Sequence, residues 1–348
     1  MSLSSEEKIQ YSRHLLLNEV GIVGQEKLKA ARVLVIGAGG LGCPILQYLT
    51  AAGVGKIGIV DHDVVDRTNL QRQILYSTET IGKNKALCAA ERLSQLNPFV
   101  HFEAIPEKLT TGNAIELFQQ YDIIVDGSDN FPTRYLINDA GVIANRPIVF
   151  GSIFKFEGQV SVFNYENGPT YRCLYPVPPA PNEVPNCSEI GVLGVLPGII
   201  GTLQANEVIK IICELGEVLS GKLLLYDALS AQQRCLNYTK STDNVTELLD
   251  HYDAFCGVRW FNEITRQELE ETIIEYTLLD VRTIEEREAF HLGGIHIPLN
   301  ELEDRYAEIP LGKPVVVYCQ SGQRSAKAIG LLQTLDAPLD LVNLKDGI

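Results

Sequence analysis

Paired cysteines, clustered histidines, excess positive charge and long apolar runs are all missing from this chain, and each absence removes a class of function. The eight cysteines (Cys43, Cys88, Cys173, Cys187, Cys213, Cys235, Cys256 and Cys319) are scattered, and no two stand as C-x-x-C. They read as reduced cytosolic thiols, one or two of them reactive. The six histidines (His14, His62, His101, His251, His291 and His296) share no metal-ligand spacing, so they read as satisfied or surface residues. Lys and Arg number 29 against 44 Asp and Glu, which leaves 29 − 44 = −15. So acidic a chain repels nucleic acid and anionic membrane. An anionic ligand must then be held by local cations or by backbone N–H groups. The most apolar stretch, "IGVLGVLPGIIGTL", is short and broken by Gly and Pro, so it is not a membrane span. "MSLSSEEKIQYSRHL" carries no apolar signal core, and a cytoplasmic location is expected.

What is present points to two domains. A length of 348 residues exceeds one ordinary core, and 45% hydrophobic with 21% charged residues suits a globular protein. From residue 32 to about 150, continuous apolar strands ("RVLVIG", "KIGIVD", "VHFEAI", "YDIIVDGSDN", "PIVFGSI") alternate with helices. That alternation predicts a doubly wound, Rossmann-like parallel sheet covered on both faces. "KFEGQVSVFNY" then alternates as an antiparallel strand would, with Gly158 expected at a turn or bulge. "PVPPAPNEVP" is an exposed loop, and a helix with two more strands follows it. A polar linker over 241–260 separates residues 1–240 from a small α/β unit over 261–348.

The first candidate site starts at "ARVLVIGAGGLGCP". Gly37, Gly39, Gly40 and Gly42 lie between a strand and a helix, the arrangement of a phosphate-binding turn. Asp61 ends the second strand, where an acidic residue accepts ribose hydroxyls. To this point a dinucleotide enzyme fits equally well. "DHDVVDRTNLQRQ" then supplies Asp61, Asp63, Asn69, Arg72 and Gln73, and Lys85 opens the following helix. Two cations at one phosphate pocket imply more negative charge than a pyrophosphate, as in a triphosphate. "DGSDN", residues 126 to 130, leaves the fourth strand at its carboxyl end, where ligands sit in open parallel sheets. Asp129 suits Mg²⁺ between phosphates, and it is also a candidate N-cap for the next helix.

A second candidate site is "VVVYCQSGQRSAKAIGLLQ". Cys319 follows a buried strand, Arg324 comes five residues later, and a helix is expected from near Ser325. A loop curled between strand and helix turns its N–H groups inward, and a thiolate there has a lowered pKa.

The segments "YSRHL", "GAGGLGCP", "DHDVVDRTNLQRQ", "DGSDN", "YRCLYPVPPAPN" and "NCSEIGVLG" together resemble the sulfur-carrier adenylyltransferase family. That family comprises molybdopterin-synthase and thiamine-pathway activators and is similar to the core of ubiquitin-activating enzymes. The resemblance covers about residues 4 to 240. It implies that ATP adenylylates the C-terminal Gly-Gly carboxylate of a small ubiquitin-like carrier. It further implies that Gly40, Asp61, Asn69, Arg72, Lys85, Asp129 and Asn130 contact ATP or its Mg²⁺. Arg13 would reach the triphosphate of a partner subunit in a homodimer. A C-terminal carboxylate is already ionised, so no general base is needed; charge stabilisation as pyrophosphate leaves is the requirement. Family members carry C-x-x-C twice, around a structural zinc. Here those places read Thr170-Tyr171-Arg172-Cys173 and Asp253-Ala254-Phe255-Cys256, so no tightly bound zinc is expected. Cys187 matches the position at which sulfur-transferring members bond covalently to the carrier, and Ile190 replaces a more usual Gly.

Together with "LLDVRTIEEREAFHLGGIHIPL", the Cys319 segment resembles a rhodanese domain over about 261 to 348. Cys319 would carry a persulfide, with Arg324 and the loop amides stabilising its anion. Related cysteine phosphatases have a loop one residue longer, which favours sulfur over phosphate. Family domains generally continue past a segment like "NLKDGI" into a further helix, so a shortened domain is an expectation here. The fusion implies that sulfur, from a cysteine desulfurase or thiosulfate, reaches Cys319. It would then pass via Cys187 to the activated carrier, giving a thiocarboxylate for molybdopterin, thiamine or tRNA thiolation. An NAD-dependent oxidoreductase and a non-catalytic nucleotide-binding scaffold are the competing readings.

Overall fold

The computed structural model describes residues 2–179, 191–241, 245–257, 261–335 and 337–348. It comprises two compact units, Met1–Cys256 and Gly257–Ile348.

The first unit is built on an eight-stranded sheet: β1 (Arg32–Ile36), β2 (Lys56–Val60), β3 (His101–Ile105), β4 (Ile123–Asp126), β5 (Ile148–Phe154), β6 (Glu157–Phe163), β7 (Lys222–Asp227) and β8 (Gln232–Asn237). Their order is β3-β2-β1-β4-β5-β6-β7-β8. Strands β1 to β5 pair in parallel, and β6, β7 and β8 extend the sheet antiparallel. The expected Rossmann-like sheet with an antiparallel extension is therefore the observed one.

The period of two along a strand explains why both faces are covered. On β1, Val33 and Val35 enter one core with Leu28, Leu46, Leu49, Leu93 and Ile200. Leu34 and Ile36 enter the opposite core with Phe118, Tyr135, Leu136 and Tyr171. Helices Gly42–Ala52, Lys85–Leu96 and Leu196–Cys213 supply the first core, and Phe131–Ile143 the second. Because β1 lies between β2 and β4, the winding reverses there, and the crevice at the carboxyl ends of β1 and β4 is the topological switch point.

Two expectations need correction. Gly158 is neither turn nor bulge: it pairs with Ile153 on β5 and with Tyr226 on β7. Its missing side chain makes room instead, since a Cβ there would run into Cδ1 of Ile200. The reversal falls at Lys155, whose φ is +54°. The expected linker is also packed over its residues 245–256: Tyr252 and Cys256 are buried in the second core, and Leu248, Leu249 and Phe255 pack against it. The polar residues of this segment hide apolar ones at the spacing of a docking turn.

The second unit holds a five-stranded, all-parallel sheet: β9 (Asn262–Ile264), β10 (Thr277–Asp280), β11 (Ile295–His296), β12 (Val315–Tyr318) and β13 (Leu341–Leu344). The order is β11-β10-β12-β13-β9. Strand β12 is buried along its whole length, as "VVVY" between two helical layers requires. Strands β9 and β11 are too short to show a period in sequence. Among the described residues no helix is long and apolar enough to cross a membrane.

Candidate active site

Gly37 leaves β1 with φ +92°, a conformation open to glycine at little cost. A Cβ on it would lie 2.8 Å from the Gly127 carbonyl oxygen, so the glycine turn and the DGSDN loop touch across the switch point. A Cβ on Gly42 would run into the Gly37 carbonyl oxygen. The helix Gly42–Ala52 starts at this turn, and its free N–H groups and dipole favour an anion there.

Asp61 is tied directly to the turn. It accepts from the Ala38 N–H at 2.8 Å and from the Asp63 N–H at 2.9 Å. Burial pushes its pKa up, and these two amide bonds pull against that shift. Lys85, at the start of the helix Lys85–Leu96, is buried and places Nζ 2.9 Å from Asp63 Oδ2. Tyr76 joins the parts, its hydroxyl lying 2.8 Å from the Ala38 carbonyl oxygen and 3.2 Å from that of Lys85.

Arg72 and Gln73 close the turn from a further segment. A Cβ on Gly40 would lie 3.7 Å from Arg72 Cδ, and one on Gly39 would lie 3.6 Å from Gln73 Nε2. The Arg72 guanidinium donates to the Thr68 carbonyl at 3.0 Å. Asn69 shapes this segment: its Oδ1 accepts from the Asp66 N–H, and its carbonyl accepts from the N–H groups of Arg72 and Gln73. Gln73 Oε1 is buried without a hydrogen-bond partner among the described residues.

Asp129 and Asn130 follow Ser128 on the same loop. The helix Phe131–Ile143 is capped by Asn130, whose Oδ1 accepts from the Thr133 N–H at 3.0 Å. Asp129 is therefore not the N-cap, contrary to expectation; the side chain one residue later has the cap geometry. Asp129 remains exposed, with its carboxylate uncommitted apart from a 3.5 Å approach by Asn130 Nδ2. A carboxylate of this kind fits a hard cation shared with phosphate oxygens.

His62 was not expected in any metal cluster, yet ligand atoms of Asp61, His62 and Asp63 lie within 4.8 Å of one another. Asp63 there is already paired with Lys85, whose charge opposes a metal ion. Arg13 sits on the short helix Ser12–Leu15 and is exposed; no contact among the described residues ties it to the turn. Cys187 and Ile190 lie outside the described residues.

The positions of the family zinc hold a different network. Arg172 makes two bonds of 2.7 Å to the buried Asp139, and the Tyr252 hydroxyl donates to the same carboxylate at 2.7 Å. The guanidinium lies 4.9 Å from the Tyr135 ring centroid and 4.8 Å from that of Phe255. Cys173 Sγ accepts from the N–H groups of Thr170 and Ser241, both at 3.3 Å. Burial opposes its ionisation, yet the bonds from Ser241 and Thr170 hold it below the ordinary thiol range. Burial pushes the Cys256 thiol up to about 12. Two thiols, Cys173 and Cys256, are two fewer than the four that the resemblance implies for a tetrahedral zinc site.

In the second unit Cys319 follows β12 and is fully buried, but not among apolar atoms alone. The Ser325 N–H donates to its sulfur at 3.3 Å, and the Ser325 hydroxyl lies at 3.4 Å. Burial raises the thiol pKa; bonds from the Ser325 hydroxyl and from the amides of Ser321, Ser325 and Arg324 outweigh it, so the pKa is lowered. Gly322, at φ +75°, turns the loop into a helix that begins at Gln323 rather than near Ser325. Arg324 aims both terminal nitrogens at Glu286, at 2.7 and 2.6 Å.

Several of these residues escaped sequence reasoning. Tyr76 and Asp139 carry no motif, and contacts distant in sequence select them. Glu286 had a signal, because Thr283-x-x-Glu286 is a capping box, but the pattern marks a helix start and not a partner for Arg324.

The model of the ThiF family matches residues 11–247, and that of the rhodanese-like domain matches residues 265–348. The chain is 44% identical to the probable adenylyltransferase/sulfurtransferase MoeZ of Mycobacterium tuberculosis, over 100% of this chain and 93% of that protein. It is 52% identical to the sulfur carrier protein adenylyltransferase of Thermus thermophilus, over 74% of this chain and 100% of the relative. Identity to the adenylyltransferase and sulfurtransferase MOCS3 of Mus musculus is 42%, over 99% of this chain and 84% of that one. Among solved structures, E. coli MccB superposes with a TM-score of 0.62 at 24% identity, covering 70% of this chain and 75% of MccB; that likeness concerns the fold alone. With a glycine turn at the switch point of the first unit and an amide-cradled cysteine in the second, this chain belongs to the ThiF family and is an adenylyltransferase carrying a rhodanese-like sulfurtransferase domain.

Proposed function

We propose that the chain uses ATP to adenylylate the C-terminal Gly-Gly carboxylate of a small ubiquitin-like sulfur carrier, and then converts the acyl-adenylate to a thiocarboxylate. The observation that carries this reading is the turn Gly37–Gly42 at the switch point, bound to Asp61, linked through the Tyr76 hydroxyl to the Lys85 backbone, and packed against Arg72 and Gln73. Asp61 receives the ribose hydroxyls. Lys85, Arg72 and the turn amides, with Asn69 and Asn130 alongside, hold the triphosphate. Asp129 would hold Mg²⁺, which supplies charge neutralisation at the phosphates.

The carrier carboxylate attacks the α-phosphorus, its bond to phosphorus forms, and pyrophosphate leaves. No proton is moved, which fits a site without a general base. A persulfide on Cys319 then attacks the acyl carbon through its outer sulfur, and AMP leaves. A thiolate, assigned to Cys187, cleaves the resulting acyl disulfide. The thiocarboxylate departs, and an external thiol reductant restores the two cysteines. The sulfur enters from a cysteine desulfurase persulfide or from thiosulfate.

We assign the N-terminal segment to a homodimer contact. Ile9, Leu16 and Val23, on either side of Arg13 in the sequence, are 76%, 72% and 68% exposed, as suits side chains that a second copy would cover. Arg13 would reach the triphosphate of the second subunit. The Arg172–Asp139 network replaces a structural zinc. Molybdopterin synthesis is the favoured pathway, with thiamine synthesis or tRNA thiolation served by the same chemistry.

The test mixes the protein, ATP and Mg²⁺ with carriers ending in Gly-Gly and reads intact mass. AMP on the carrier tail without a sulfur source, and sulfur in its place once thiosulfate is added, is the expected result. No carrier-dependent pyrophosphate exchange, with saturable NADH binding in its place, sinks the reading.

A further inference from the structure

The Cys319 loop contains a charge problem that its motif does not show. A loop whose amides converge on one point binds anions in general, oxyanions as well as sulfur. Arg324, in the first turn of the helix that follows the loop, adds a full positive charge and should favour a doubly charged ligand such as phosphate.

The structure places a counter-charge on that arginine. Glu286 meets Arg324 in a two-point pair, Nη1 to Oε2 at 2.7 Å and Nη2 to Oε1 at 2.6 Å. About a third of each side chain is exposed, 34% for Arg324 and 32% for Glu286. The carboxylate is itself fixed, since its Oε2 also accepts from the Thr283 N–H at 3.0 Å in a capping box. Arg324 pulls the Glu286 pKa down to about 2, with the Thr283 amide assisting, so the pair stays ionised at any ordinary pH. Two further arginines, Arg282 and Arg287, share one carboxylate, Asp280. Arg282 is bound to Asp280 through two bonds and to the carbonyls of Glu286 and Phe290. Arg287 lies 3.5 Å from the same Asp280 and donates to the Gly294 carbonyl. Gln320 and Gln323 on the loop are neutral.

We propose that Glu286 is a specificity-determining residue of the sulfur site: by engaging both ends of the Arg324 guanidinium it cancels that charge, so the loop accepts a singly charged sulfur anion and disfavours doubly charged oxyanions. This rests on the reading of Cys319 as the sulfur carrier. Glu286 touches neither sulfur nor donor; it acts through Arg324.

The experiment compares wild type, E286Q and E286D in the full chain, using sulfur transfer from thiosulfate to cyanide. Gln keeps the capping acceptor and loses the charge, which separates the two roles of the side chain. In E286Q the freed guanidinium should lower KM for thiosulfate, a dianion, about fivefold, and make inorganic phosphate a competitive inhibitor where wild type is insensitive. The midpoint of the pH profile of kcat/KM should move down by about half a unit or more as the Cys319 thiolate gains a full positive neighbour. E286D, which keeps the charge, should return phosphate resistance and the midpoint toward wild type. Equal phosphate sensitivity in wild type and E286Q overturns the proposal, as does E286D behaving like E286Q. A wild-type chain that takes no sulfur from thiosulfate or from a cysteine-persulfide donor, as C319S should not, overturns the sulfur reading beneath it. Thermal melts of each variant separate loss of fold from change of specificity.

Discussion

The two units solve one geometric problem twice, with opposite treatment of charge. Each sends a buried parallel strand (β1, Val33 to Ile36; β12, Val315 to Tyr318) through a glycine-bearing loop into the N-terminus of a helix. In the first unit cations are gathered, with Lys85 only partly matched by an exposed Asp63 and Arg72 held by a backbone carbonyl. In the second, the arginine is matched end to end by Glu286. The backbone supplies a generic anion cradle in both. On the functional reading proposed above, the side chains around it set how much negative charge the cradle takes, more in the first unit than in the second.

The largest expected effects come from removing one chemistry and watching the other. C319S should abolish sulfur transfer and leave ATP–pyrophosphate exchange at the wild-type rate. R72A or D129A should do the reverse, lowering exchange by about 10²–10³-fold with persulfide formation on Cys319 intact. A variant that lost both would show that the two sites are not separable.

An intermediate effect concerns what secures the first unit. Arg172 and Asp139 form a mostly buried pair, at 18% and 1% side-chain exposure. Removing one partner strands the other, so R172A should lower unfolding stability by about 3 kcal/mol in denaturant titration. Treatment of wild type with a strong chelator should leave the melting temperature in place. One zinc per chain by metal analysis, with a chelator-induced drop in melting temperature, would break this account.

A further effect, graded with pH, is in alkaline stability. Burial pushes Cys43 and Cys256 from an ordinary 9.0 up to about 12. Each folded-state pKa lies above its unfolded value, so the stabilisation is complete below pH 9 and is lost progressively as pH rises from 9 to 12. Urea midpoints should decline over that window. At pH 8 neither thiol should react with iodoacetamide in the folded chain, whereas the exposed Cys235 should.

Much of the first site was legible because its parts are local. Gly37 to Gly42 is a contiguous motif, and Asp61, Arg72, Lys85 and Asp129 follow the carboxyl ends of strands that the apolar runs mark clearly. Two of the misreadings turned on a neighbour distant in sequence, and the third on one a single residue away. Gly158 looked like a turn because its role is to admit Ile200. Asp129 looked like a cap because Asn130, one residue on, has the same chemistry. Residues 245–256 looked like a linker because Tyr252 finds its partner in Asp139, more than a hundred residues earlier.

The sequence alone determined the two strand–loop–helix units, their order, and the residues that can be charged, because these depend on spacing within ten or so positions. The tertiary structure decided which charges stay active. Lys85 meets Asp63, Arg172 meets Asp139 and Arg324 meets Glu286 only once sheets and helices have packed. A charge acts on a ligand only through what its neighbours leave uncancelled, and those neighbours are chosen by the fold.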